Sequence, residues 1–118
     1  MITGVHAIMF SDDAEGVRAF FRDVLGFSSV DAGHGWLIFA LPPAELAAHP
    51  ADGTNRHELY LMCDDINATV AELQAKGIEI TKEIRDAGFG LLTALRLPDG
   101  NELAVYEPKH PSPLSPST

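Results

Sequence analysis

The amino-acid sequence predicts an α+β fold in which two βαβββ modules form one cup-shaped mixed sheet with helices outside. The first observation is a repeat: residues 6–13 (HAIMFSDD) recur in pattern at residues 58–65 (ELYLMCDD), and each run ends in two aspartates. The second is the helical spacing of apolar residues after each run. Because a half with one helix and one small sheet cannot bury both sheet faces alone, the two halves are expected to pair.

Each predicted helix has a start and a stop signal. Asp13 and Asp65 are expected to cap the helices, because a short carboxylate accepts hydrogen bonds from the free amides of the first turn. Gly26 and Gly77 are expected to end them, because glycine enters the left-handed region at little cost. The paired aspartates are therefore interpreted as caps rather than as catalytic acids.

Further strands are predicted after each helix. Residues 36–42 (WLIFALP) share a pattern with residues 92–98 (LTALRLP), and both runs end in a proline that breaks the strand. Residues 45–49 correspond in the same way to residues 102–106. Each half therefore contains a strand, a helix and two or three further strands.

The repeat also sets the domain organisation. The modules cover about residues 1–53 and 56–109, and together they are predicted to form a single domain over residues 1–109. Residues 110–118 are rich in proline and serine, which predicts a flexible tail.

Composition excludes several classes of function. The chain has 17 Asp and Glu against 8 Lys and Arg, a formal net charge of −9, which disfavours nucleic acids and anionic membrane surfaces as partners. It has no apolar stretch long enough to span a bilayer and no secretory leader pattern. A single cysteine suits a reducing compartment, so a cytoplasmic location is expected.

Strand alternation separates the two faces of each first strand. One face carries polar-tipped side chains and is expected to line the cavity, whereas the apolar face is expected to lie under a helix. In the second module the cavity face is Glu58, Tyr60 and Met62, and the helix face is Leu59, Leu61 and Cys63. In the first module His6 and Phe10 lie on the cavity face.

The combined pattern resembles the vicinal oxygen chelate superfamily, which includes glyoxalases, extradiol dioxygenases, fosfomycin-resistance enzymes and bleomycin-binding proteins. The resemblance extends to about residue 108. It implies the paired βαβββ fold and a homodimer. The residues that carry it are His6, Asp13, Phe20, Phe21, VLGF at 24–27, DDI at 64–66, Gly77, LPDGN at 97–101 and EP at 107–108.

The resemblance implies four metal-ligand positions, which fall on His6, Ala47, Glu58 and Ala104. The two alanines offer no donor atom, and a catalytic metal usually needs at least three protein ligands. His49 and Tyr106 are each two residues further along, which is about 6 to 7 Å on a strand. No cofactor is therefore strongly implied, and a divalent metal held by His6 and Glu58 is kept as the alternative.

The candidate ligand-binding residues are Phe10, Trp36, His49, Tyr60 and Tyr106. Their rings suit an aromatic or cationic molecule, particularly in an acidic cup. Glu58 is the candidate general base, because a carboxylate in a cavity is able to take a proton from a ligand. The competing interpretations are core packing for Trp36 and a structural ion pair for Glu58.

These expectations lead to one functional hypothesis and two alternatives. The first is a glyoxalase, bleomycin-resistance or dioxygenase-like protein that binds a small molecule in the central cup without a strongly held metal. The second is a divalent-metal-dependent lyase, isomerase or dioxygenase that uses His6 and Glu58. The third is a regulatory or interaction protein without catalysis. The sequence leaves enzymatic activity open; an enzyme of this type would be a glyoxalase-like lyase or an extradiol-type dioxygenase.

Overall fold

The computed structural model describes residues 6–45, 47, 49–50, 53, 55, 57–111 and 113–114. In the first half, helix α1 (Ala14–Ala19) continues as a π-helical turn (Phe20–Val24), and a hairpin of β1 (Ser29–Asp31) and β2 (Leu37–Phe39) follows. The second half contains β3 (Tyr60–Met62), α2 (Ile66–Ala75), β4 (Ile80–Asp86), β5 (Gly90–Arg96) and β6 (Glu102–Pro108). The prediction of an α+β fold is confirmed. None of the helices in these ranges is long and apolar enough to cross a membrane.

The second half forms a whole βαβββ unit. Its four strands lie in the order β3-β6-β5-β4, with β3 parallel to β6 and the remaining neighbours antiparallel. The first strand of the unit therefore lies beside the last one, and helix α2 makes the crossover between β3 and β4. This arrangement matches the strand–helix–strands order that the repeat predicts.

The predicted helix caps are confirmed. Oδ1 of Asp13 and of Asp65 accepts a hydrogen bond from the amide three residues further on, at 3.0 and 3.1 Å. Gly26 and Gly77 follow the helical segments with φ of +71° and +80°. A side chain at either position would strain the backbone, which explains why glycine ends both helices.

The core lies between the helices and one face of the four-stranded sheet. Alternate residues of β5 and β6 point toward α2, and the π-helical turn after α1 adds Phe20 and Phe21 to the same cluster. Leu61 and Cys63 pack against this cluster, as their predicted helix-facing position requires, but the same prediction is wrong for Leu59, which precedes β3, is 41% exposed and lies outside the cluster. The buried members are Val17, Phe20, Phe21, Ile66, Leu73, Leu95, Leu97, Leu103 and Val105.

The first half departs from the predicted pattern. Residues 6–10 form no strand, and Ile8 and Phe10 are 65% and 91% exposed. In the second half the first strand is held by its parallel pairing with β6. The equivalent segment in the first half is residues 45–49, between Pro43 and Pro50, and its described residues 45, 47 and 49 lie in no strand. Proline cannot donate to a strand ladder, so both flanks of this segment disfavour pairing.

The described strands consequently form two sheets, of two and four strands, where the sequence predicts one. Closure of the two halves into a cup stays a prediction. Residues 1–5, most of the connector between the modules and much of the predicted tail lie outside the described residues.

Candidate functional site

A cavity of about 370 Å³ lies on the face of the four-stranded sheet that points away from α2. Each strand of this sheet or its flanking residues contributes to the lining, so the second module builds the cavity without help from the β1–β2 hairpin. The lining residues are Glu58, Leu59, Tyr60, Lys82, Arg85, Leu92, Thr93, Ala94, Glu102 and Ala104.

The floor of the cavity is a row of paired residues. Lys82 pairs with Ala94, Ala94 with Ala104, and Ala104 with Tyr60. Residues paired across neighbouring strands share a face of the sheet. The two alanines at the centre leave space above the sheet, while Lys82 and Tyr60 rise at opposite edges. Three strand spacings separate these edges, which is about 14 Å.

An irregular register in β4 places two cations on this face. From Ile80 to Lys82, two residues of β4 oppose a single step of β5, and from Lys82 to Arg85 three residues oppose two steps. In a regular strand, residues three apart point to opposite faces. Because of the irregularities, both Lys82 and Arg85 line the cavity.

The charged side chains of the lining are of both signs. Lys82 Nζ lies 3.8 Å from Glu102 Oε2, and Tyr60 Oη donates a hydrogen bond of 3.0 Å to Glu58 Oε1. The Lys82–Glu102 pair is exposed and long, so it contributes little stability. With two acidic and two basic side chains, the cavity is more balanced than the acidic cup that the sequence predicts.

Three rings form an aromatic wall at one end of this face: Tyr60, Phe89 and Tyr106. Their centroids are 5.5 to 6.4 Å apart in edge-to-face pairs. This spacing is that of directly packed rings, so the wall is a filled cluster and not an open cage for a cation. Phe89 is 43% exposed and presents part of its ring to solvent.

Tyr106 is the buried ring of the aromatic wall, and its hydroxyl has two polar neighbours. It is 8% exposed, and its hydroxyl donates to Glu45 Oε1 at 3.5 Å and lies 3.1 Å from His110 Nε2. Burial, followed by the negative charge of Glu45, raises the pKa of the Tyr106 hydroxyl. His110, which belongs to the predicted tail, is therefore half-buried against the wall. Tyr106 remains a neutral hydrogen-bond donor at physiological pH.

The other predicted ligand-binding residues lie away from the cavity lining. His6 and His49 are exposed, and Phe10 is almost wholly so. Trp36 is 67% exposed, and the Arg18 guanidinium lies 5.8 Å from the centre of its ring. Of the predicted ligand contacts, the structure brings together Tyr60 and Tyr106, with Glu58 beside Tyr60.

The donor set does not fit a resident divalent metal. Ala104 faces the cavity in register with Tyr60, so this ligand position is present but carries only a methyl group. Ala47 is exposed. Over the residues that the structure describes, no three His, Cys, Asp or Glu side chains come together in an arrangement that could hold a metal ion. Two donors, His6 and Glu58, are fewer than a catalytic metal requires.

Sequence reasoning missed Lys82, Arg85 and Glu102 as cavity-lining residues. Regular alternation from the core residue Ile80 turns Lys82 toward the helix, whereas the observed register turns it toward the cavity. Glu102 follows a turn and begins β6, in the pattern of a solvated strand end. The local sequence carries no signal for either position.

Residues 4–105 match the family model described as the Glyoxalase/Bleomycin resistance protein/Dioxygenase superfamily. The chain belongs to this superfamily. The resemblance predicted from the sequence is therefore confirmed. Among curated proteins, none matches the chain.

Solved structures show the same superfamily fold. TnmS3, an antibiotic binding protein from Streptomyces sp. CB03234, matches with a TM-score of 0.64 and 24% identity over 92% of this chain and 100% of that one. Lactoylglutathione lyase from Agrobacterium tumefaciens matches with a TM-score of 0.65 and 20% identity, over 89% of this chain and 92% of that one. A glyoxalase/bleomycin resistance protein from Streptomyces sp. CB03234 matches with a TM-score of 0.55 and 25% identity, over 81% of this chain and 92% of that one.

Proposed function

We propose that this superfamily member binds a small organic molecule on the cavity face of its four-stranded sheet, through side chains and without a resident divalent metal. The observation that carries the proposal is the alanine floor. Ala94 and Ala104 leave an open space where a chelating side chain at position 104 would reach into the cavity. A molecule on this floor is held by direct contacts with side chains, because position 104 offers no ligand atom to a metal.

The size and chemistry of the cavity support a small-molecule ligand. Its volume of about 370 Å³ is within the range of sites for compact organic molecules. Its floor is apolar, Tyr60 stands at one edge, and four of its ten lining residues are charged, so a ligand is offered both apolar and ionic contacts. The structural likeness to the antibiotic binding protein TnmS3 favours binding of this kind over a purely structural role.

The roles predicted for individual residues are proposed in the same terms. Tyr60 and Tyr106 supply ring contacts at the aromatic wall, and Glu58 is the group placed to accept a proton from a bound molecule. Phe10, Trp36 and His49 would reach the ligand only if the first half closes over the cavity. We propose that the first half closes over the cavity in this way. We also propose a cytoplasmic location for the protein.

We also propose that the protein is a homodimer. Support comes from large apolar side chains of the first half that stay exposed and are not among the candidate ligand contacts, such as Val30 (67%), Ile8 (65%) and Leu41 (49%). Side chains of this size tend to be covered by a partner when they occur together. Light scattering on the purified protein should give twice the mass of one chain, and a monomer at all concentrations contradicts the dimer.

A substitution that fills the floor tests the binding proposal. Ala104→Trp places a large ring in the cavity, whereas Ala71→Trp adds the same ring to the exposed side of α2. Ala104→Val is a milder version in case the larger ring disturbs folding. Thermal unfolding is measured with a fragment library of aromatic acids, amides and amines, and with bleomycin and S-lactoylglutathione.

The proposal expects at least one compound that raises the melting temperature of the wild type and of Ala71→Trp equally. The same compound should have a smaller effect on Ala104→Val and none on Ala104→Trp. If no compound stabilises the wild type, or if stabilisation is the same in Ala104→Trp, the cavity face is not the ligand site.

A further inference from the structure

Arg85 stands out among the cations of this acidic chain. Within the described part of the chain, Arg22, Lys76, Lys82, Arg96 and Lys109 each form an ion pair, and Arg18 contacts a carbonyl and the Trp36 ring. Arg85 makes no such side-chain contact with the residues described, although the chain carries 17 acidic side chains. Arg85 is an exposed residue of the cavity lining, and its five N–H donors make no hydrogen bond to the described residues.

The irregular register of β4 turns Arg85 and Lys82 to the same face of the sheet, at a cost in folding free energy. The first register irregularity, between Ile80 and Lys82, includes Thr81, whose Oγ1 is buried without a hydrogen-bond partner among the described residues. A buried unsatisfied hydroxyl is destabilising. Irregular strand pairs are common beside binding sites, where they redirect side chains. In this sheet the result is two cations side by side over the cavity.

The acidic residues of the cavity lie at its other end. Arg85 shares a row with Leu92 and Tyr106, whereas Glu102 precedes Tyr106 on β6 by four residues, about 13 Å along the strand. Glu58 lies two residues before Tyr60 and so belongs to the same end as Glu102. Among the residues of the lining, no acidic side chain therefore shares the row of Arg85.

We propose that Arg85, assisted by Lys82, is an anion-binding subsite that holds a carboxylate or phosphate group of the ligand. A planar guanidinium is suited to a two-point hydrogen bond with an oxyanion. Lys82 contributes less, because Glu102 already offsets part of its charge. Tyr106 of the aromatic wall lies in the same row, beyond Leu92, so the subsite selects aromatic acids. This inference rests on the proposed ligand site and adds the charge of the ligand to it.

Four naphthalene probes that differ only in one group test the subsite: 2-naphthoate, 2-naphthyl phosphate, 2-naphthamide and 2-naphthylmethylammonium. Each is titrated into ¹⁵N-labelled wild type, Arg85→Gln, Arg85→Lys, Lys82→Gln and Arg22→Gln. Arg22 is exposed beside Asp23 and away from the cavity, so its variant controls for the loss of one positive charge. Amide shifts give both the dissociation constant and the place of binding, and the Arg85 Nε–Hε signal reports on the subsite directly.

The two anions should bind the wild type about tenfold or more tightly than the amide, because a charge-assisted hydrogen bond exceeds a neutral one. This preference should vanish in Arg85→Gln, return in part in Arg85→Lys, weaken in Lys82→Gln and persist in Arg22→Gln. The ratio of the dissociation constants of 2-naphthoate and 2-naphthyl phosphate identifies which anion the subsite prefers.

Equal binding of the amide and the anions, tighter binding of the ammonium probe, or an unchanged preference in Arg85→Gln overturns the anion subsite. If such neutral or cationic probes still shift the sheet-face amides and lose this effect in Ala104→Trp, the proposed ligand site stands while the subsite fails. If no probe shifts the sheet-face amides, both proposals fail.

Discussion

A chelating side chain introduced at position 104, on the cavity floor, tests whether the donor lacking there is what keeps the site from binding a metal. Ala104→Glu adds a carboxylate between Tyr60 and Ala94, in a cavity large enough to accept it. The new group lies about 7 to 8 Å from Glu102 and Glu58, by the strand rise and strand spacing. Ala71→Glu on the exposed side of α2 makes the same change of charge without new neighbours in the cavity.

The expected size of the effect follows from Coulomb's law. Each like-charge pair at that separation costs about 0.5 kcal/mol in water, so two pairs cost about 1 kcal/mol. For a chain of this length, about 1 kcal/mol corresponds to a fall in melting temperature of roughly 4 °C. A divalent cation bound by the three carboxylates should reverse this fall, because a ligand of the folded state stabilises it.

Thermal unfolding with and without Mn²⁺ or Zn²⁺ measures the effect, and calorimetry measures the affinity. Ala104→Glu should melt lower than the wild type without metal and recover with it, whereas wild type and Ala71→Glu should not respond. A wild type that responds to metal as strongly as Ala104→Glu refutes the reasoning. An unresponsive Ala104→Glu variant shows that Glu58 and Glu102 do not converge on position 104.

Two further predictions concern the fold. Asp65→Ala should lower the free energy of unfolding by about 1 kcal/mol, and Asp64→Ala by much less, because only Asp65 caps α2; denaturant unfolding measures both, and equal losses contradict the cap. Ser11→Ala should lower the melting temperature at neutral pH, with the difference shrinking as the pH falls below 3.8. The hydrogen bond from Ser11 lowers the pKa of Asp99, so its stabilisation is present above the unfolded pKa and disappears in acid. A difference that is independent of pH contradicts this link.

The fold was largely predictable where local signals and pairing partners agree. Asp65 and Gly77 mark the ends of α2 in the sequence, and the strands around the helix have clear turn residues between them. The strand expected at residues 6–10 has an equally apolar pattern but forms no strand. Strand formation depends on a partner, and the proline-flanked counterpart at residues 45–49 supplies none among the described residues.

The candidate site was predictable only in part. Simple alternation places Tyr60 and Ala104 on the face away from the helix, and both line the cavity. Lys82 could not be placed in this way, because its direction depends on how β4 pairs with β5. Register irregularities are properties of two strands together, so the sequence of one strand does not reveal them. Arg85 could not be singled out either, because the absence of a side-chain partner among the described residues is visible only in three dimensions.

We propose that side chains alone, without a resident metal, form the ligand site on the cavity face. Elemental analysis of the protein purified without chelators tests it most directly, with His6→Ala and Glu58→Ala prepared in parallel. We expect far less than one equivalent of iron, zinc, nickel or manganese in all three proteins. One equivalent of metal in the wild type that is lost from both variants would contradict it.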